Sequence, residues 1–107
     1  MTPGNLKSSP TGRVPLQLKI TDQMAERLRR MHPLLKRKIK ASLSIILMDP
    51  GEGKALKEEL AGLHSFRVSR FRIVYRVKNR VVEIIAVGPR NRIYEETFQI
   101  LKKRSSG

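Results

Sequence analysis

Cysteine and tryptophan are absent from the 107-residue chain, which carries only three Phe and two Tyr. Without cysteine there is no disulfide, no thiol nucleophile and no cysteine-based metal site. So few aromatics argue against a base-stacking platform of the kind that single-stranded nucleic-acid binders use. The two histidines, His32 and His64, stand alone in the sequence, and no metal or other cofactor is expected. No stretch approaches the ~20 apolar residues of a membrane span. The N-terminus lacks the apolar core of a signal peptide. A cytoplasmic protein that engages no membrane is the expectation.

Acidic residues are also scarce. Nine Asp and Glu face 23 Lys and Arg, for a formal net charge of +14. Such a surplus repels itself in the compact state and calls for a polyanionic partner. Basic charge supplies affinity for phosphate but does not by itself read a sequence. No Ser-His-Asp set is plausible, and Gly51-Glu52-Gly53-Lys54 lacks the spacing of a phosphate-binding glycine loop.

What is present reads as one domain. Residues 1–13 are rich in Gly, Pro, Ser and Thr and read as a disordered lead-in; 14–104 form the domain; 105–107 are a disordered tail. Val14 to Ile20 alternates as a half-buried strand, with Leu16, Leu18 and Ile20 on one side. Thr21 or Asp22 can cap a helix that places Met24, Leu28 and Met31 on one face and runs to about His32. Pro33 suits the first turn of a second helix, whose apolar stripe is Leu35, Ile39, Leu43, Ile46 and Leu47. Asp49-Pro50-Gly51 ends it. Leu56, Leu60 and Leu63 then recur at helical spacing, with Gly62 placed to close a helical turn.

From Ser65 the period becomes two. Phe66 and Val68, then Phe71, Ile73, Tyr75 and Val77, alternate with polar positions, and Lys78-Asn79-Arg80 is a hairpin turn. Val81 to Val87 is nearly all apolar, as in a strand covered on both faces, and Gly88-Pro89 breaks it. Tyr94, Thr97, Phe98 and Leu101 mark a short C-terminal helix. The expected fold is α+β: an N-terminal strand, a two-helix hairpin packed on one face of an antiparallel sheet, and a short C-terminal helix.

The chemistry concentrates between Ser65 and Arg80, where six basic residues meet no acidic one. Arg67, Arg72 and Arg76 fall opposite the apolar positions and share a sheet face. Guanidinium forks match phosphate oxygens, so such a row is a phosphate-binding surface. Arg90, Arg92 and Tyr94 follow the last strand, where Arg90 can approach Arg72. Tyr94 also opens the apolar stripe of the last helix, so spacing alone leaves it between core and site. His32 and His64 read as surface loop residues. Glu95 and Glu96 suit the first turn of a helix.

Leu60-Ala61-Gly62-Leu63, Phe66-Arg67-Val68, Phe71-Arg72-Ile73-Val74-Tyr75-Arg76-Val77, and Val82 to Gly88 followed by Arg90 and Ile93-Tyr94 together resemble the RelE/ParE toxin superfamily. The resemblance covers about Lys54 to Leu101. It implies a toxin of a type II toxin–antitoxin system, neutralised by a cognate antitoxin with an acidic or amphipathic segment and meeting operator DNA only through it. RelE-like members cut mRNA on the ribosome without a metal: the 2′-hydroxyl attacks the adjacent phosphate and arginines stabilise the charge. By this resemblance Arg72, Arg90 and Tyr94 are the catalytic set and Arg67 stands where relatives carry a basic residue; Lys54, Lys57, Arg67, Arg70, Arg76 and Arg92, as cations, are the expected RNA-binding residues. Classical RelE carries a lysine pair on the strand before Arg72; this chain has Arg67 there, flanked by Ser65 and Ser69. Two alternatives stay open: a ParE-like gyrase-inhibiting toxin that cuts nothing, and a non-catalytic basic module that binds nucleic acid.

Overall fold

The computed structural model describes residues 16–106, with side chains through residue 104. The lead-in expected over residues 1–13, and residue 107 of the expected tail, lie outside the described residues.

Strand β1 (Gln17–Lys19) leads into helix α1 (Asp22–Arg29). Thr21 caps α1, its hydroxyl accepting from the Met24 backbone N–H at 3.1 Å. Met24 is buried, with Leu28 and Met31 packed behind it. Helix α2 (Pro33–Met48) starts with proline in its first turn, where the missing N–H costs nothing. His32 caps it: Nδ1 accepts from Leu34 N at 3.1 Å. The expected stripe is the one that turns inward, with Ile39, Leu43 and Ile46 buried and Leu35 and Leu47 beside them. Asp49 then turns the chain, its carboxylate accepting from Gly51 N.

The segment from Lys54 to Leu63 is not helical in the way its leucine spacing suggests. Lys54–Ala55 is strand β2, and Glu58–Leu60 is a single 3₁₀ turn. Backbone pairing wins over local period: Lys54 lies opposite Ser65, and Leu56 N donates to Leu63 O at 2.9 Å. Gly62 takes φ +92°, a left-handed turn that bends the chain back. The three leucines reach the core around a loop rather than along a helix.

Strands β3 (His64–Val68), β4 (Phe71–Lys78) and β5 (Val81–Pro89) complete a five-stranded sheet of order β1-β5-β4-β3-β2. Ser69 (φ +56°) turns β3 into β4. Asn79 and Arg80, both at positive φ, turn β4 into β5 where a hairpin was expected. The sheet is mixed rather than purely antiparallel, because β1 runs parallel to β5 with Lys19 opposite Glu83. The long connection from β1 to β5, through the helical hairpin and the other three strands, supplies the crossover that parallel pairing requires. At this edge Leu18 is 41% exposed instead of half-buried. β5 continues through Gly88 and Pro89 and breaks just beyond them.

The helices do not share one face. Helix α3 (Ile93–Ser106) packs on β4 and β5 from the side opposite the α1–α2 hairpin and stays helical into the expected tail. Register puts Ser65, Arg67, Arg72, Val74, Arg76, Glu83, Ala86 and Gly88 on the α3 side. The other side carries His64, Phe66, Ile73, Tyr75, Val82, Ile84 and Val87. A bulge at Ile85, where the register slips between Val74 and Tyr75, lets Ile84, Ile85 and Ala86 all be buried. Apolar β5 thus has cover on both faces.

Tyr75 ties the hairpin face to the loop after α2. Its Oη donates to Pro50 O at 2.5 Å and accepts from Gly53 N at 3.1 Å. His64 is in β3, not in a turn, and its ring stacks on Tyr75 at 5.4 Å between centroids. Burial pushes the Tyr75 phenol above its ordinary value of 10.0; the Gly53 N–H opposes this, and Asp49 and Glu52 add to the rise. The folded chain therefore holds this proton more tightly than the unfolded chain, and the stability it contributes is lost as pH climbs above about 10. Tyr75→Phe should cost about 1–2 kcal/mol of unfolding free energy at pH 7 in urea titrations. The gap to wild type should narrow above about pH 10.

Candidate active site

On the α3 side of the sheet one hydroxyl gathers two of the expected residues. Arg72 Nη1 donates to Ser65 Oγ at 3.1 Å, and Tyr94 Oη donates to the same atom at 3.2 Å. Sheet pairing fixes the arginine: Arg72 lies between Arg67 on β3 and Gly88 on β5. The helix fixes the phenol, since Tyr94 is in its first turn. Gly88 lets that turn sit close. A Cβ there would meet Glu96 Oε1 at 2.9 Å and Ile93 Cδ1 at 3.2 Å. Tyr94 is half-buried, at the border between core and surface, and Arg72 is half-buried beside it.

Arg90 approaches from β5. Its N–H donates to Arg70 O at 2.8 Å, two residues beyond the Arg72–Gly88 pair. An open concavity of about 510 Å³ lies beside Arg90, lined by Arg67, Ser69, Arg70, Phe71, Pro89, Arg90 and Asn91; Arg72 and Tyr94 are not among its lining residues. Lys38 of α2 reaches its edge, donating to Ser69 Oγ at 3.2 Å. Lys54 belongs to the same face, as the cross-strand neighbour of Ser65. Arg92 is exposed in the turn before α3, and Lys57 is exposed before the 3₁₀ turn.

Arg76 is not brought to this cluster. It shares the face but donates to Glu83 Oε1 at 2.6 Å, and Arg104 of α3 donates to Glu83 Oε2 at 3.0 Å. Among the described residues, Arg67, Arg72 and Arg90 pair with no carboxylate, so their charge is not cancelled locally. The sequence marks Ser65 only as a flank of Arg67. Glu96 is in the first turn of α3 as expected, and its Oε1 lies buried over Gly88 without a hydrogen bond, 3.6 Å from Arg27 Nη2. The signal for Ser65 was its place two residues before Arg67, on the same face of a strand.

Residues 18–94 match the family model of the ParE toxin of type II toxin–antitoxin systems. The chain belongs to this family. It therefore sits in the RelE/ParE toxin superfamily, as a toxin of a toxin–antitoxin system. Solved structures agree on the fold. A chain of the RelBE2 toxin–antitoxin complex from Mycobacterium tuberculosis is 27% identical, with TM-score 0.64 over 72% of this chain and 93% of that one. The free form of an E. coli RelE mutant is 21% identical, with TM-score 0.66 over 85% and 98%. The archaeal RelE–RelB complex from Pyrococcus horikoshii gives 23%, TM-score 0.61, 74% and 99%. No curated protein matches the chain. Among the described residues no helix is long and apolar enough to cross a membrane.

Glu83 decides how the far end of α3 is held. Burial pushes its carboxyl up, but the hydrogen bonds and charges of Arg76 and Arg104 outweigh this and hold it below its ordinary value of 4.5. A depressed carboxylate contributes stability above its unfolded value, and that stability is lost as pH falls through the folded one. Glu83→Gln should lower the unfolding free energy by about 1–2 kcal/mol at pH 7, since both arginines are partly solvated. Thermal melts across pH should show the difference closing below about pH 4.

Proposed function

We propose that this toxin is a ribosome-associated mRNA endoribonuclease that works without a metal. The convergence of Arg72 and Tyr94 on Ser65 carries the reading. A toxin that only binds a protein has no need to aim a guanidinium and a phenol at one point. In the proposed reaction the 2′-oxygen of the substrate attacks the adjacent phosphorus. The O2′–P bond forms and the P–O5′ bond breaks; water takes the proton of the 2′-hydroxyl and returns one to the departing O5′, so that the products are a 2′,3′-cyclic phosphate and a 5′-hydroxyl. Arg72 and Arg90 neutralise the charge that builds on the non-bridging oxygens. Tyr94 orients the attacking hydroxyl. Lys54, Arg67, Arg70 and Arg92 hold flanking phosphates, with Lys57 further out.

The partner is an antitoxin with an acidic, amphipathic segment. An apolar groove of about 350 Å³ between β1, α1 and α2 suits it: Leu18, Ile20, Leu28 and Leu43 form the floor, and Arg29, Lys36 and Lys40 rim it. Operator DNA is reached only through that antitoxin. Cytoplasmic action follows from a target on the ribosome.

The ParE family match favours a second reading, inhibition of gyrase without cleavage. Full-length protein added to ribosomes programmed with mRNA distinguishes them. Wild type should cut, and Arg72→Ala and Tyr94→Phe should each slow the cut by about 10²–10³-fold. Gyrase supercoiling should be untouched. Intact message together with lost supercoiling would establish the second reading in its place.

A further inference from the structure

We propose that Ser65 is a positioning residue that orients Arg72 and Tyr94 while leaving the arginine's charge unspent; the proposal rests on the ribonuclease reading. Two arginines of β4, Arg72 and Arg76, face α3 four residues apart, and they are held in opposite ways. Arg76 is fixed by a carboxylate, Glu83, at 2.6 Å. That contact orders the side chain and partly neutralises its charge, since Arg104 shares the same carboxylate. Arg72 is fixed by a neutral hydroxyl at 3.1 Å. A guanidinium has donors and no acceptor, so it needs an acceptor to be held. A neutral acceptor supplies the hold and leaves the full positive charge for a phosphate.

The setting of Ser65 fits this role. It is 1% exposed, in a cross-strand row that continues through Val74 and Ala86, each 0% exposed. An apolar residue would satisfy packing there, and a buried hydroxyl without partners costs free energy. Ser65 has two partners, both from the candidate catalytic set, and its small side chain brings them together. Tyr94 is 29 residues away in sequence and belongs to another layer. The hydroxyl thus couples the helix to the sheet at the point where the chemistry is proposed. Buried as it is, Ser65 does not touch the substrate.

Steady-state cleavage of ribosome-bound mRNA by the full chain tests this, with Ser65→Ala, Ser65→Thr and Arg72→Ala compared. Ser65→Ala should lower kcat by about 10–100-fold with KM within about threefold, the signature of misplaced rather than missing groups. Ser65→Thr, which keeps the hydroxyl, should recover most of the rate. In parallel, ¹⁵N NMR of the free protein reads the Arg72 guanidinium directly. Its N–H signals should be distinct in wild type and should merge with those of the solvated arginines in Ser65→Ala. An alanine variant with wild-type kcat and unchanged Arg72 signals, beside an inactive Arg72→Ala, overturns the role of Ser65 and leaves the ribonuclease reading standing. Equal cleavage by wild type and Arg72→Ala, or none by wild type, overturns both.

Discussion

The closure of α3 over the β4–β5 face constrains the rest of the molecule. That face carries Val74 and Ala86, which need cover, and arginines, which resist it. The helix satisfies both by lying over the apolar positions and meeting polar partners along its length. Tyr94 reaches Ser65 near its start, Glu96 lies over Gly88 toward Arg27, and Arg104 reaches Glu83 near its end. Gly88 leaves room for the Glu96 and Ile93 side chains of the first turn.

The few acidic residues are then spent selectively. Glu26 binds Arg29 at the end of α1 and Arg30 just beyond it, and those two arginines hold its carboxyl below its ordinary value. Glu83 binds Arg76 and Arg104. Glu96 faces Arg27. None of these carboxylates reaches Arg67, Arg72 or Arg90. Part of the excess charge is left at one end of the sheet, around the turn from β3 to β4 and the exit from β5. A concave, cationic surface of that kind attracts phosphate groups.

Much of the fold could be read from period and punctuation. The α2 stripe, the Pro33 start, the Thr21 cap and the Asn79 turn each follow from a local rule, and each is where that rule puts it. Long-range pairing was not legible. Nothing near Lys54 says that it will lie opposite Ser65, so its leucine spacing suggested a helix. Nor does β1 announce a parallel partner more than sixty positions later. The site was half legible for the same reason. Alternation put Arg67, Arg72 and Arg76 on one face, and this is their face. That Glu83 would claim Arg76, and that Tyr94 would cross from another layer to share Ser65 with Arg72, are facts of tertiary packing.

The family places the chain among toxins; the arrangement around Ser65 is what argues for chemistry rather than binding alone. The most direct test is the chemical nature of RNA ends in cells that express the toxin without its antitoxin. Mass spectrometry of message fragments should find 2′,3′-cyclic phosphates opposite 5′-hydroxyls, and these should vanish with Arg72→Ala. Full-length messages in growth-arrested cells, with no such ends, would contradict the account.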